Sequence, residues 1–203
     1  MGLPHRAAAT MMQALDLRTL LHEADVVARV RVLRQRARWQ QGRILTTVTL
    51  RVDEMLFGPD PAPAQLSLRL LGGRVADTVM RIAGEPRVQQ GATMLLVARR
   101  RPHGHFRPVG MSQGLMPITR TSTGLQVCPG ARGVALVQRD AAGKLHSARP
   151  ALTACVSWAQ LRPRLRQLLQ PASIPPKAPL VHVDEERSPP AHPPQGDNAR
   201  ETR

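Results

Sequence analysis

Residues 110–114 read Gly-Met-Ser-Gln-Gly, the G-x-S-x-G spacing that presents a nucleophilic serine on a sharp turn. Asp140 and His146 follow Ser112 in the order that such hydrolases use. The turn needs a strand before the serine and a helix after it, at the edge of a parallel α/β sheet. Here Gly114 is followed by Leu115-Met116-Pro117-Ile118, a strand-like run with an early proline. The preceding strands also lack the intervening helices that a parallel sheet requires. Ser112 is therefore expected to be non-catalytic, and Gly110 and Gly114 to serve backbone conformation near a strand end.

Other reactive types are equally sparse in context. His103 and His105 flank Gly104 and could chelate a metal from one strand face. The adjacent Arg99-Arg100-Arg101 repel a cation, no third ligand is evident, and a hairpin tip fits better. Asp53 and Glu54 are neighbours, so a regular strand sends them to opposite faces and they make no acid–base pair. Gly72-Gly73-Arg74 lacks the strand–helix setting of a phosphate loop. Neither a metal nor a cofactor is expected, and the chain is read as non-enzymatic. Cys128 and Cys155 are too few for a disulfide framework or a zinc site. In an oxidising compartment they could form one bridge; in a reducing one they would be two small thiols.

These residues must be positioned by strands. Leu17, Leu20, Leu21 and Ala24 recur at helical spacing behind Asp16, a good N-cap. The period then changes to two. Val26, Ala28, Val30 and Val32 alternate with Val27, Arg29, Arg31 and Leu33, which predicts a strand with a largely basic face toward water. Gln41-Gly42 reads as a turn, and residues 43–55 as the next strand. Val48, Leu50 and Val52 lie on one side of it, and Thr47, Thr49, Arg51 and Asp53 on the other. A Gly-Pro-rich stretch at 58–63 precedes a third strand carrying Leu66, Leu68 and Leu70, which Gly72-Gly73 ends. Residues 93–99 are apolar on both sides, as in a central strand. Pro102-His103-Gly104 turns into a strand over 106–109, and shorter strands are expected near 115–119, 124–128 and 133–138. A second helix follows Ser157, read as an N-cap with Gln160 completing a capping box and Val156 stapled to Leu161. Its apolar face is Trp158, Leu161, Leu165 and Leu168, its other side carries Arg162, Arg164 and Arg166, and Pro163 should kink it.

The pattern predicts a mainly β chain: a small antiparallel barrel or sandwich of OB-like form, with a short N-terminal helix and a C-terminal helix. Residues 14–170 form one domain. Residues 1–13 are read as a disordered segment or the remnant of an export signal, because Ala7-Ala8-Ala9 has no apolar region before it. Residues 171–203 are proline-rich, nearly free of apolar side chains, and expected to be disordered. No apolar run is long enough to span a bilayer.

The net charge is +15, and of 29 basic residues only Lys144 and Lys177 are lysines. A GC-rich genome explains arginine in place of lysine but not the shortage of acids. The tail holds four basic and five acidic residues, so residues 1–170 carry +16. Such an excess suits an acidic polymer or cell-envelope component. Arg29, Arg31, Arg99, Arg100 and Arg101 are its candidate contacts. Only Trp39, Phe57, Phe106 and Trp158 are aromatic, few for the stacking that single-stranded nucleic acid prefers.

Several segments together, "LDLRTLLHEADVV", "RILTTVTLRVDEMLFG", "LLGGRV", "MRIAGEPRVQQGATMLLVARR" and "FRPVGMSQGLMPI", resemble a group of uncharacterised exported bacterial β-rich proteins. The resemblance covers roughly residues 14–119. It departs at Phe57-Gly58, where a Lys-Gly turn is common, and at Val88, where an aromatic is frequent. It implies a cleaved signal ahead of the first helix, hence a periplasmic or extracellular location; if translation starts at Met1 the location would be cytoplasmic. More distantly, the strand order is similar to the netrin-type barrel of metalloproteinase inhibitors. Their N-terminal metal-reaching cysteine has no counterpart here, so that mechanism does not carry over. The leading functional reading is a non-enzymatic exported β-barrel module acting by surface contact. A basic module for a polyanion, including nucleic acid, is the alternative, and a serine hydrolase using Ser112 comes last.

Overall fold

Alternating side chains build the frame of the domain. The computed structural model describes residues 11–131 and 134–170. In chain order the elements are β1 (Met11–Gln13), α1 (Leu17–His22), β2 (Val26–Gln40), β3 (Arg43–Phe57), β4 (Gln65–Leu71), β5 (Gly73–Val75) and β6 (Thr78–Met80). They continue as β7 (Thr93–Arg100), β8 (Phe106–Pro108), β9 (Leu115–Thr121), β10 (Gly124–Val127), β11 (Ala135–Arg139), β12 (Leu145–Ser147), β13 (Val156–Ser157) and α2 (Trp158–Leu168). Residues 1–10 of the expected N-terminal segment 1–13, and the expected tail over 171–203, lie outside the described residues. Met11–Gln13, expected to be unstructured, instead pair in parallel with Ala135–Val137 as β1. A long-range partner decides that strand, and its three residues carry no alternation to reveal it.

β2, β3, β4, β8 and β7 close into a five-stranded OB-like ring. Its pairs are antiparallel except β4–β8, which meet in parallel at Leu68 and Phe106. β2 and β3 are each 15 residues long, well beyond the alternating runs that announce them. Gln41 (φ 49°) and Gly42 (φ 72°) join them through two consecutive left-handed residues, the backbone of a tight hairpin turn. The register slips near Val27, Arg29 and Val32, each slip adding a residue to one strand. Such bulges bend and twist a hairpin, which helps it wrap into a ring. Along its second edge β7 pairs with β8 over Ala98–Arg100 and with β9 over Thr93–Leu96. The outer strands β10 and β13 extend the sheet from β9.

The ring interior is filled by Val26, Ala28, Val30, Val32, Val48, Leu50, Leu66, Leu68, Leu70, Leu96 and Phe106, among others. Those from β2, β3 and β4 are the inward sets expected from period two. A second core lies outside the ring. There Val27, Leu95, Val97, Met116 and Ile118 meet Leu17, Leu20 and Leu21 of α1 and Trp158, Leu161 and Leu165 of α2. β7 is thus covered on both faces, as its apolar run requires. The expectation that the second face of β2 is basic and wet needs correcting at its start: Val27 is buried and Arg29 half-buried beneath α2, because the helices cover that end.

At α1, Asp16 caps as expected, its Oδ1 accepting from the Thr19 N–H at 2.7 Å. At α2, Ser157 occupies the N-cap position but its side chain makes no capping hydrogen bond, so the capping box is absent. Ser157 is also a strand residue, paired with Gln126, and this pairing sets its backbone. The helix continues through Pro163, with Leu169 beyond its end more deeply buried than Leu168.

Candidate functional site

The G-x-S-x-G segment forms an excursion between β8 and β9. Pro108 opposes Ala98, Val109 still donates its N–H to the Val97 carbonyl at 2.9 Å, and residues 110–114 then make the excursion before Leu115 opposes Leu96. Gly110 (φ 58°) and Met111 (φ 57°) turn the chain, and a 3-10 turn spans Met111–Gly114. A side chain at Gly114 would overlap the Val109 and Val97 carbonyl oxygens. The glycines are therefore backbone and packing requirements, as expected. Ser112 is buried, and its Oγ has no hydrogen-bond partner among the described residues. His146 sits on the exposed β12, its Nε2 2.6 Å from Asp140 Oδ2. That bond, together with the Lys144 N–H, holds the Asp140 carboxyl below its ordinary range. Ser112 and His146 share no hydrogen bond, so the hydrolase order in the sequence does not become a triad in space. Gln113 has the structural role here: its Nε2 donates to the Gln13 carbonyl at 2.9 Å, and its Oε1 accepts from the Leu15 N–H at 2.9 Å. It fastens the N-terminal segment to the barrel.

Cys128 and Cys155 form a disulfide. They stand next in register to the Val127–Val156 pair of β10 and β13, so the bridge joins the outer strands just ahead of α2. Asp53 and Glu54 depart from expectation. Asp53 is the extra residue where Val30 opposes Val52 but Arg29 opposes Glu54. The bulge cancels one alternation, and both carboxylates point outward. Asp53 accepts from Arg51 Nε at 2.8 Å. Glu54 accepts from Arg162 Nε at 2.5 Å and Arg166 at 3.2 Å, fastening α2 to the barrel.

The sequence-derived arginine set does not form one patch. Arg29 stacks over Trp158 at 5.9 Å, and Arg99 is paired with Glu23 at 2.6 Å. Arg100 lies over Phe106 at 5.5 Å. Arg29 and Arg31 oppose Leu95 and Thr93, at the other end of β7 from Arg99–Arg101. A coherent basic surface lies instead on the outer face of β2, β3 and β4 that the helices leave bare. After the bulge at Leu33, Arg34, Arg36 and Arg38 stand outward, opposite Thr49, Thr47 and Leu45. These in turn oppose Ser67, Arg69 and Leu71. Successive arginines are spaced roughly 6–7 Å along β2, with β4 about two strand widths away. Arg34 Nε donates to Thr49 Oγ1 at 3.2 Å. Among the described residues, Arg34, Arg36, Arg38 and Arg69 have no carboxylate within ion-pair distance.

His105 stands at the β4 margin of this face. Its Nδ1 is 3.0 Å from Ser67 Oγ. Burial, then the charges of Arg69, His103 and Arg38, push the imidazole below its ordinary pKa. His103 (φ 63°) is exposed at the tip of the β7–β8 turn, and no group of three or more metal-capable side chains occurs among the described residues. Arg34, Arg36 and Arg38 lie beyond the apolar alternation of β2, which ends at the bulge at Leu33, so the alternation does not announce them. The every-second-residue arginines were the available signal.

The fold and this face define a β-barrel with one flank covered by helices and the other cationic and open. No protein-family model, curated protein or solved structure matches the chain.

Proposed function

We propose that the domain is a non-enzymatic module of an exported protein, acting by surface contact. Its contact surface is the bare outer face of β2–β3–β4, and its partner is an anionic polysaccharide or similar acidic polymer of the cell envelope. The observation that carries this reading is the set of four outward arginines on β2 and β4, either side of β3, with no carboxylate among the described residues to neutralise them. Like charges gathered on one face weaken a fold, so an external anion is the natural complement. Thr47, Thr49 and Ser67 interleave the arginines with hydroxyls suited to a sugar chain. Outward positions on this face hold no aromatic side chain among these rows, which weighs against a base-stacking ligand. The Cys128–Cys155 bridge supports an oxidising compartment.

The test compares two triple variants of equal charge. R34Q/R36Q/R38Q removes the face; R81Q/R87Q/R120Q removes three exposed arginines elsewhere. Binding to dextran sulfate is measured against salt. The face variant should lose at least tenfold in affinity and roughly one unit of log–log salt slope per arginine, and the control much less. Equal losses in both would refute the face. Tighter binding to single-stranded DNA than to the sulfated glycan would refute the polysaccharide assignment.

A further inference from the structure

We infer that the Ser67–His105–Arg69 corner of this face is a subsite for one tetrahedral oxyanion of the polymer, a sulfate or phosphate ester, and that it binds with His105 protonated. The inference rests on the reading above and adds a seat and a proton to it. The Nδ1–Ser67 contact fixes the ring. With Nδ1–H donating to Ser67 Oγ, protonation places a second N–H on Nε2, which is left to a ligand. Arg69 lies two residues on from Ser67 on the same outward side of β4. Its Nε is buried and has no partner among the described residues.

The surroundings of His105 are cationic from each element near it. β4 contributes Arg69, the β2–β3 hairpin Arg38, and its own turn His103. Arg101 closes the same turn, donating its N–H to the His105 carbonyl at 2.8 Å. Arg107 follows on β8 and is 3.6 Å from Glu85, a carboxylate also engaged by the Leu71 N–H at 2.6 Å. Burial and this field favour the neutral ring in the free protein. A bound oxyanion cancels the field and supplies an acceptor, so binding takes up a proton. Affinity must then rise as pH falls through the titration of His105, by no more than tenfold per pH unit for one proton.

The experiment uses the full chain and dextran sulfate, whose ester charges do not titrate in this range. Between pH 8 and pH 5.5, affinity should rise severalfold. H105Q should flatten that rise while keeping the steep salt dependence, and H103Q should keep most of it. The His105 imidazole resonance of the wild-type chain, followed by NMR, should titrate at higher pH with polymer bound; this readout needs no variant to fold. Salt-dependent binding that ignores pH, or a His105 titration unmoved by polymer, overturns the subsite and leaves the face standing. A rise lost in H103Q but kept in H105Q also overturns it. No binding at low salt at any pH overturns the face itself. Inorganic sulfate is the second probe: a His105 titration raised by the free ion but not by the polymer overturns the polymer assignment.

Discussion

Removing the Cys128–Cys155 bridge should cost a sizeable share of the stability of the domain. The cysteines are 27 residues apart in sequence. In the chain-entropy model, opening a loop of that length frees the unfolded chain by about 3–4 kcal/mol. The folded state should change little, because β10 and β13 remain paired and Trp158, Leu161 and Leu165 still anchor α2 in the second core. At about 2–4 °C per kcal/mol for a domain of this size, the melting temperature should fall by roughly 6–16 °C. Thermal and urea unfolding of the full chain, with and without reductant and as the C128A/C155A double variant, measures this. Cys155 is exposed, so reductant should reach the bridge in the native protein. The urea m-value should also rise, since an uncrosslinked unfolded chain exposes more surface. A drop under 2 °C with an unchanged m-value would refute the reasoning, and would mean that the unfolded chain already holds residues 128–155 together.

Four further variants have outcomes set by named contacts. S112A should leave the unfolding free energy measured in urea unchanged or raise it by up to about 1 kcal/mol, since it removes a buried hydroxyl with no partner among the described residues; G114A should destabilise by more than about 3 kcal/mol through its collision with two carbonyls. E54Q should cost about 1 kcal/mol by urea unfolding. Its partners Arg162 and Arg166 are about half exposed and regain water, so a larger loss would mean that α2 depends on the ion pairs more than on its apolar face. The Thr19 N–H holds the Asp16 carboxyl below its usual value of 3.8. That cap contributes fully above the unfolded pKa and is lost as pH falls through the lower folded one. D16A should therefore cost about 1 kcal/mol at pH 7, and the cost should shrink as acid carries the pH below the ordinary carboxylate range.

Much of the fold was legible in the order of residue types. Period-two alternation at Val26–Val32, at Val48–Val52 and at Leu66–Leu70 marks the inward faces of β2, β3 and β4. The unbroken apolar run of β7 marks a strand covered on both sides. Asp16 before Leu17, and Gln41-Gly42 between two strands, mark a cap and a turn. All of these are local signals, because a side chain's inward or outward direction follows from its own backbone period. What the tertiary structure decided is everything that depends on a distant partner. The bulge at Asp53 turned two neighbouring carboxylates to one face, and the one at Leu33 carried Arg34, Arg36 and Arg38 outward. β1 exists because β11 lies beside it, and Ser112 is buried without a hydrogen-bond partner among the described residues where the chain returns to the ladder at Leu115. Where the helices rest on the ring chose which of its flanks would be buried and which arginines would face water. One strand period cannot reveal that choice, because the covering side chains lie far along the chain from the strands they cover.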